Sequence, residues 1–70
     1  NININLENYK KAETDLTKAI ELGENDSLIY YLRGMSRRFL DNNKGACKDW
    51  KKAAELGDKD SEKLLNKYCS

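Results

Sequence analysis

The 70-residue chain contains no histidine, which removes both the usual general base of neutral pH and the commonest neutral metal ligand. Cysteine is scarce too. Cys47 and Cys69 are the only two, too few for a tetrahedral zinc site without carboxylates and not spaced as Cys-x-x-Cys, so neither a metal nor a cofactor is expected. Charge of one sign is also missing: 13 Lys and Arg stand against 12 Asp and Glu, a formal net charge of +1. No global field therefore draws the chain to nucleic acid or to an anionic membrane. The longest uninterrupted apolar run, Leu28 to Leu32, is far shorter than the roughly 20 residues of a membrane span, and no signal-peptide pattern opens the sequence. Neither a Gly-rich phosphate loop nor a nucleophile with an adjacent base is recognisable. Carboxylate pairs such as Glu21 with Glu24, or Asp58 with Asp60, fall beside lysines in expected turns, without the apolar pocket that acid–base work needs. No catalytic residue is assigned, and an enzyme is not expected.

What the chain does have is charge, 36% of its residues, with an apolar fraction of 39%. A domain of this length buries only roughly 60% of the surface its unfolded chain exposes, so these proportions suit an elongated particle with a thin core.

Self-similarity organises the rest. Lys18 to Ser27 reads KAIELGENDS and Lys52 to Ser61 reads KAAELGDKDS, an offset of 34 residues with seven of ten positions identical. Upstream, LENYKKA from Leu6 aligns in the same register with LDNNKGA from Leu40. Each copy carries helical periodicity: Ala12, Leu16, Ala19 and Ile20 form a stripe that Ala46, Trp50, Ala53 and Ala54 repeat. Gly23 and Gly57 follow the stripes where a helix would end on a left-handed residue. Asp26-Ser27 and Asp60-Ser61 offer side-chain oxygens to cap what comes next, and Asp41-Asn42-Asn43 breaks the pattern once more. These signals predict helices at about 7–22, 27–40, 43–56 and 60–69.

A period of 34 with two helices per unit resembles the tetratricopeptide repeat. In the one complete unit, Ser27 to Asp60, the matches are Tyr30 and Trp50 at the aromatic positions, Gly34 at the small position, and Ala46 and Ala53 at the two Ala positions. Arg33 and Arg37 stand where that family prefers Leu and Tyr, and Asp58 where it has Pro. The stretch KKAAELGDKDSEKLL also resembles the related short helical repeats whose second helix ends in Ala-Ala-Glu-x-Gly. Either resemblance implies an all-α fold of antiparallel hairpins in a right-handed superhelix. It divides the chain into a partial repeat (1–26), a complete repeat (27–60) and a capping helix (61–70). This phase places Asn1 inside a unit, so sequence upstream of it is expected.

The resemblance implies an interaction module, a scaffold or adaptor piece holding a peptide or protein along the concave face of first helices. In the complete unit that face comprises Leu28, Tyr31, Met35, Arg38 and Phe39, of types enriched at interface centres. The alternative occupant is a neighbouring repeat. Self-association as a structural unit is a second reading. A third is nucleic-acid binding through Arg33, Arg37 and Arg38, although Arg33 and Arg37 are better explained as partners of Asp15 or Asp49 on the flanking helices. Trp50 is expected in the core, against the first helix of its hairpin and Leu64 or Leu65. Cys47 and Cys69 are equidistant from the turn near Asp58, so they stand at one height of an antiparallel hairpin. They form either a disulfide, which would favour the periplasm or cell exterior, or two buried thiols of a cytoplasmic protein.

Overall fold

The computed structural model describes residues 6–69. The first five positions of the expected partial repeat, and Ser70 of the expected capping helix, lie outside them. Four helices and no strand are found among the described residues: α1 (Leu6–Glu21), α2 (Ser27–Phe39), α3 (Asn43–Glu55) and α4 (Lys59–Tyr68). Each packs on the next in chain order, α2 with α3 most extensively. The particle measures 32 × 30 × 19 Å, and its short dimension is about two helix diameters.

The two glycines end their helices as the repeat predicts. Gly23 and Gly57 take φ of 97° and 104°, the left-handed region that glycine enters without strain. Around them the same bonds recur: Glu24 N–H donates to the Ala19 carbonyl at 3.1 Å, and Asp58 N–H to the Ala53 carbonyl at 3.0 Å. The copies then diverge. Asp26 caps α2, accepting from the Leu28 N–H at 3.1 Å, as expected. α4 is capped by Asp58, whose carboxylate accepts from the Ser61 N–H at 3.0 Å, rather than by Asp60. The helix starts at Lys59 in consequence. The physical reason is side-chain length: the first copy has Glu24 at this place, and a short carboxylate is the one that reaches a backbone N–H three residues on.

The core lies between α2 and α3. Ala46 and Ala53 are fully buried, Trp50 is 1% exposed and Tyr30 is 8% exposed. Gly34 leaves the space for the indole, since a Cβ there would stand 2.5 Å from Trp50 Nε1 and 2.6 Å from its Cδ1. The indole also meets the ring of Tyr68, centroids 6.0 Å apart, on α4, the helix on which the sequence pointed to Leu64 or Leu65. The α3–α4 pair is antiparallel, because Cys47 near the start of one and Cys69 at the end of the other have Cα atoms 6.0 Å apart and form a disulfide.

Candidate functional site

The arginines of α2 tie three helices together. Arg33 donates from Nε and Nη2 to the two carboxylate oxygens of Asp49, at 2.9 and 2.7 Å, and from Nη1 to Thr17 Oγ1 on α1 at 3.3 Å. Arg37 donates from Nε to Glu13 on α1 at 2.7 Å and places Nη1 3.3 Å from Asp49. A bidentate, planar pairing of this kind is what guanidinium supplies and an ammonium cannot. The Asp49 hydrogen bond raises the Arg33 pKa above its ordinary value, outweighing burial, which lowers it.

The expectation of a partner at Asp15 or Asp49 is met at Asp49 and corrected at Asp15, for Glu13 takes the place on α1. Asp15 and Asp49 are equivalent in the repeat, and the face of α3 that carries Asp49 meets α2. α2 meets α1 on a different face, where Glu13 and Thr17 stand one turn apart.

Asp15 instead opens onto a groove of about 610 Å³ between α1 and α2. From α1 it is lined by Asn8, Tyr9, Ala12, Asp15 and Leu16, residues that recur at helical spacing on one face. Leu32, Met35 and Ser36 close it from α2. The walls are mostly apolar side chains, and Leu32 stays 42% exposed. Asp15 makes no ion pair with any described residue.

The five residues expected along the concave face do not stay together. Met35 lines the groove. Phe39 stacks on Tyr9, one of the groove's own residues, with centroids 4.7 Å apart and planes at 21°. Arg38 reaches toward α4, its guanidinium 4.3 Å from the Tyr68 ring centre and 5.8 Å from that of Phe39. Leu28 is exposed and Tyr31 half-buried, neither of them lining the groove. Sequence reasoning missed Tyr9, Ala12, Leu16 and Leu32 as groove residues. The signal was present in the stripe Ala12–Leu16–Ala19, but it reads as core until one asks which helix covers it.

Among the described residues no three His, Cys, Asp or Glu side chains converge as metal ligands, and no helix is long and apolar enough to cross a membrane. Compared with family models, curated proteins and solved structures, the chain matches none of them.

Proposed function

We propose that this chain is a protein–protein interaction module, a tetratricopeptide-like helical-repeat unit that holds a peptide or protein segment in the groove between α1 and α2 and carries out no chemistry. The observation that carries the reading is the groove itself: an open, mostly apolar trough bordered by a carboxylate, Asp15, that makes no ion pair with any described residue, on a domain otherwise covered in charge. Apolar walls with a few placed polar groups are the usual make-up of a recognition site. The repeat of 34 residues and the stacked hairpins support the superhelical architecture. The pairing of Cys47 with Cys69 supports an oxidising compartment, the periplasm or the cell exterior.

Selection of a displayed random peptide library against the folded chain tests the reading. Enriched peptides are expected to shift backbone amide signals of Ala12, Leu16, Leu32 and Met35. Binding should be lost on Leu32→Glu, which alters a 42% exposed side chain and leaves the melting temperature unchanged. Peptides that ignore Leu32→Glu, or no enrichment at all, would refute it.

A further inference from the structure

Arg33 and Arg37 of α2 are paired with carboxylates, whereas four lysines of α3 are not. Lys44, Lys48, Lys51 and Lys52 are all exposed, and none makes an ion pair with a described residue. At about 3.6 residues per turn they fall within an arc of roughly 100°, on the side of α3 away from Ala46, Asp49 and Ala53. Among the described residues α3 packs on α2 and α4, and the stripe is the face that both leave uncovered. A repeat preceding α1 or following α4 would stack on those outer helices, so the lysines stay on the surface of the array whichever units adjoin it. The fold does not require this charge, because at the 34-residue offset α1 has Lys10, Thr14, Thr17 and Lys18 in the same places. The charge is also costly to the helix that carries it. Lys48 stands four residues from both Lys44 and Lys52 and three from Lys51, spacings at which like charges destabilise a helix. No acidic residue occupies the first turn of α3, so Lys44 opposes the positive end of the helix dipole without compensation. Only Glu55, one turn beyond Lys51 and Lys52, offers them the opposite sign. Charge retained against the stability of its own helix points to a use outside that helix.

We propose that the outer face of α3 docks a short acidic segment of a partner protein, whose carboxylates meet Lys44, Lys48, Lys51 and Lys52. This is a second surface, separate from the groove, and it stands or falls independently of what the groove holds. Charge complementarity selects the sign of the partner. Length selects its class. From Lys44 to Lys52 the stripe runs about 12 Å at 1.5 Å per residue, which matches two turns of a partner helix with a carboxylate on each turn. Beyond its far end stand exposed Glu55, Asp60 and Glu62, the last two in the first turn of α4. A long uniform polyanion, such as a nucleic-acid strand or an anionic membrane sheet, would run on into those carboxylates, whereas a short acidic segment stops before them. Nor is there a platform for bases to stack on, since the one aromatic residue of α3, Trp50, is buried.

The probe is an alanine-based helical peptide with Glu at every fourth position, titrated at low ionic strength into the isotopically labelled chain. It should shift the amides of Lys44, Lys48, Lys51 and Lys52, and the same peptide with Gln in place of Glu should not. Raising the salt concentration should release it. Lys48→Gln should weaken binding roughly threefold, and Lys44→Gln with Lys48→Gln roughly tenfold. The charge-matched pair Lys10→Gln with Lys18→Gln, at the equivalent places on α1, should leave binding unchanged. Stability should move the opposite way: with its like-charge neighbours relieved, Lys48→Gln should melt about 2–5 °C above the parent. That combination of a firmer fold with weaker binding is one that a merely structural lysine would not produce. Several results would overturn the proposal: no binding of the Glu peptide, equal losses in the α1 and α3 pairs (net charge alone at work), or a Lys48→Gln variant that melts below the parent. So would tighter binding of single-stranded oligothymidylate than of the peptide, which would make the face a nucleic-acid surface. Lysine signals that move on dilution of the chain alone would do the same, by showing that the acidic end of a second copy is the occupant.

Discussion

Helices α1 and α3 carry the same apolar stripe in the same register, yet α3 buries five residues, Gly45, Ala46, Asp49, Trp50 and Ala53, and α1 buries none. The pattern along a helix sets which face can be covered, and the neighbour decides whether it is. α3 has α2 on one side and α4 on the other, the latter tied by a disulfide. Among the described residues α1 packs chiefly on α2, and what holds it there is the Arg37–Glu13 pair, the Arg33–Thr17 hydrogen bond and the stack of Tyr9 on Phe39. Among the described residues one copy of the stripe is core and the other is surface.

Matched substitutions in the two copies test this contrast most severely. Trp50→Ala removes a side chain that is 1% exposed and should cost about 3–5 kcal/mol, much of the stability of a domain this small. Leu16→Ala, its counterpart on α1, deletes a half-buried side chain and should cost about 1 kcal/mol. Thermal unfolding of both variants measures the difference, and equal costs would mean that α1 is as much a part of the core as α3.

The disulfide comes next. It closes a loop with a sequence separation of 22, and for a loop of about that length the bond stabilises by roughly 3 kcal/mol. Cys69→Ser should lower the melting point, and adding reductant to that variant should change nothing further. The covalent tie serves the α3 copy alone, because the position equivalent to Cys47 in α1 is Glu13. Alkylation of two thiols in the native, air-exposed protein would refute the bond.

The aspartates provide a third pairing. Asp49→Asn leaves Arg33 and Arg37 without the carboxylate they share. With Arg33 14% exposed at its side chain, the cost should fall at about 2–3 kcal/mol, below the full penalty of a dry ion pair. Asp15→Asn should stay within about 0.5 kcal/mol. Because the folded state raises the Arg33 pKa, the pair's contribution is fully present below the unfolded value and is lost only above the raised one. No loss from Arg33 is therefore expected across neutral and mildly alkaline pH.

Much of this was legible in the residues alone. The helices follow from the stripes and from Gly23 and Gly57, and Trp50 declares itself as core by its place on the stripe Ala46–Trp50–Ala53, although its contact with Gly34 was not legible there. Two things were hidden. The start of α4 at Lys59 depends on Asp58 folding back onto Ser61, a local contest between Asp58 and Asp60 that a repeat alignment settles wrongly. The partner of Arg37 depends on which face of α1 meets α2, and repeat equivalence points to Asp15, because it maps a residue onto the geometry of its own hairpin rather than onto the packing between hairpins. For the same reason, the groove's α1 wall reads as core from sequence.

The smallest effect is the one that should erase the contrast. Gly23 and Gly57 end α1 and α3 with φ of 97° and 104°, and a Cβ built at either would meet nothing within 4 Å. Alanine at these places therefore meets no steric conflict with the rest of the molecule, and its cost is the backbone's own: about 1 kcal/mol for holding a non-glycine residue in the left-handed region. That cost is set by covalent geometry and by the Schellman-type bonds to Ala19 and Ala53, so it is the same in both copies although their side chains differ so much in burial. Gly23→Ala and Gly57→Ala should each lower the melting temperature by roughly 4–8 °C, and by equal amounts within error. A drop at Gly57 with none at Gly23 would show that the end of α1 unfolds before the rest of the domain. The difference between the copies would then lie in the backbone of α1 and not only in what covers its side chains.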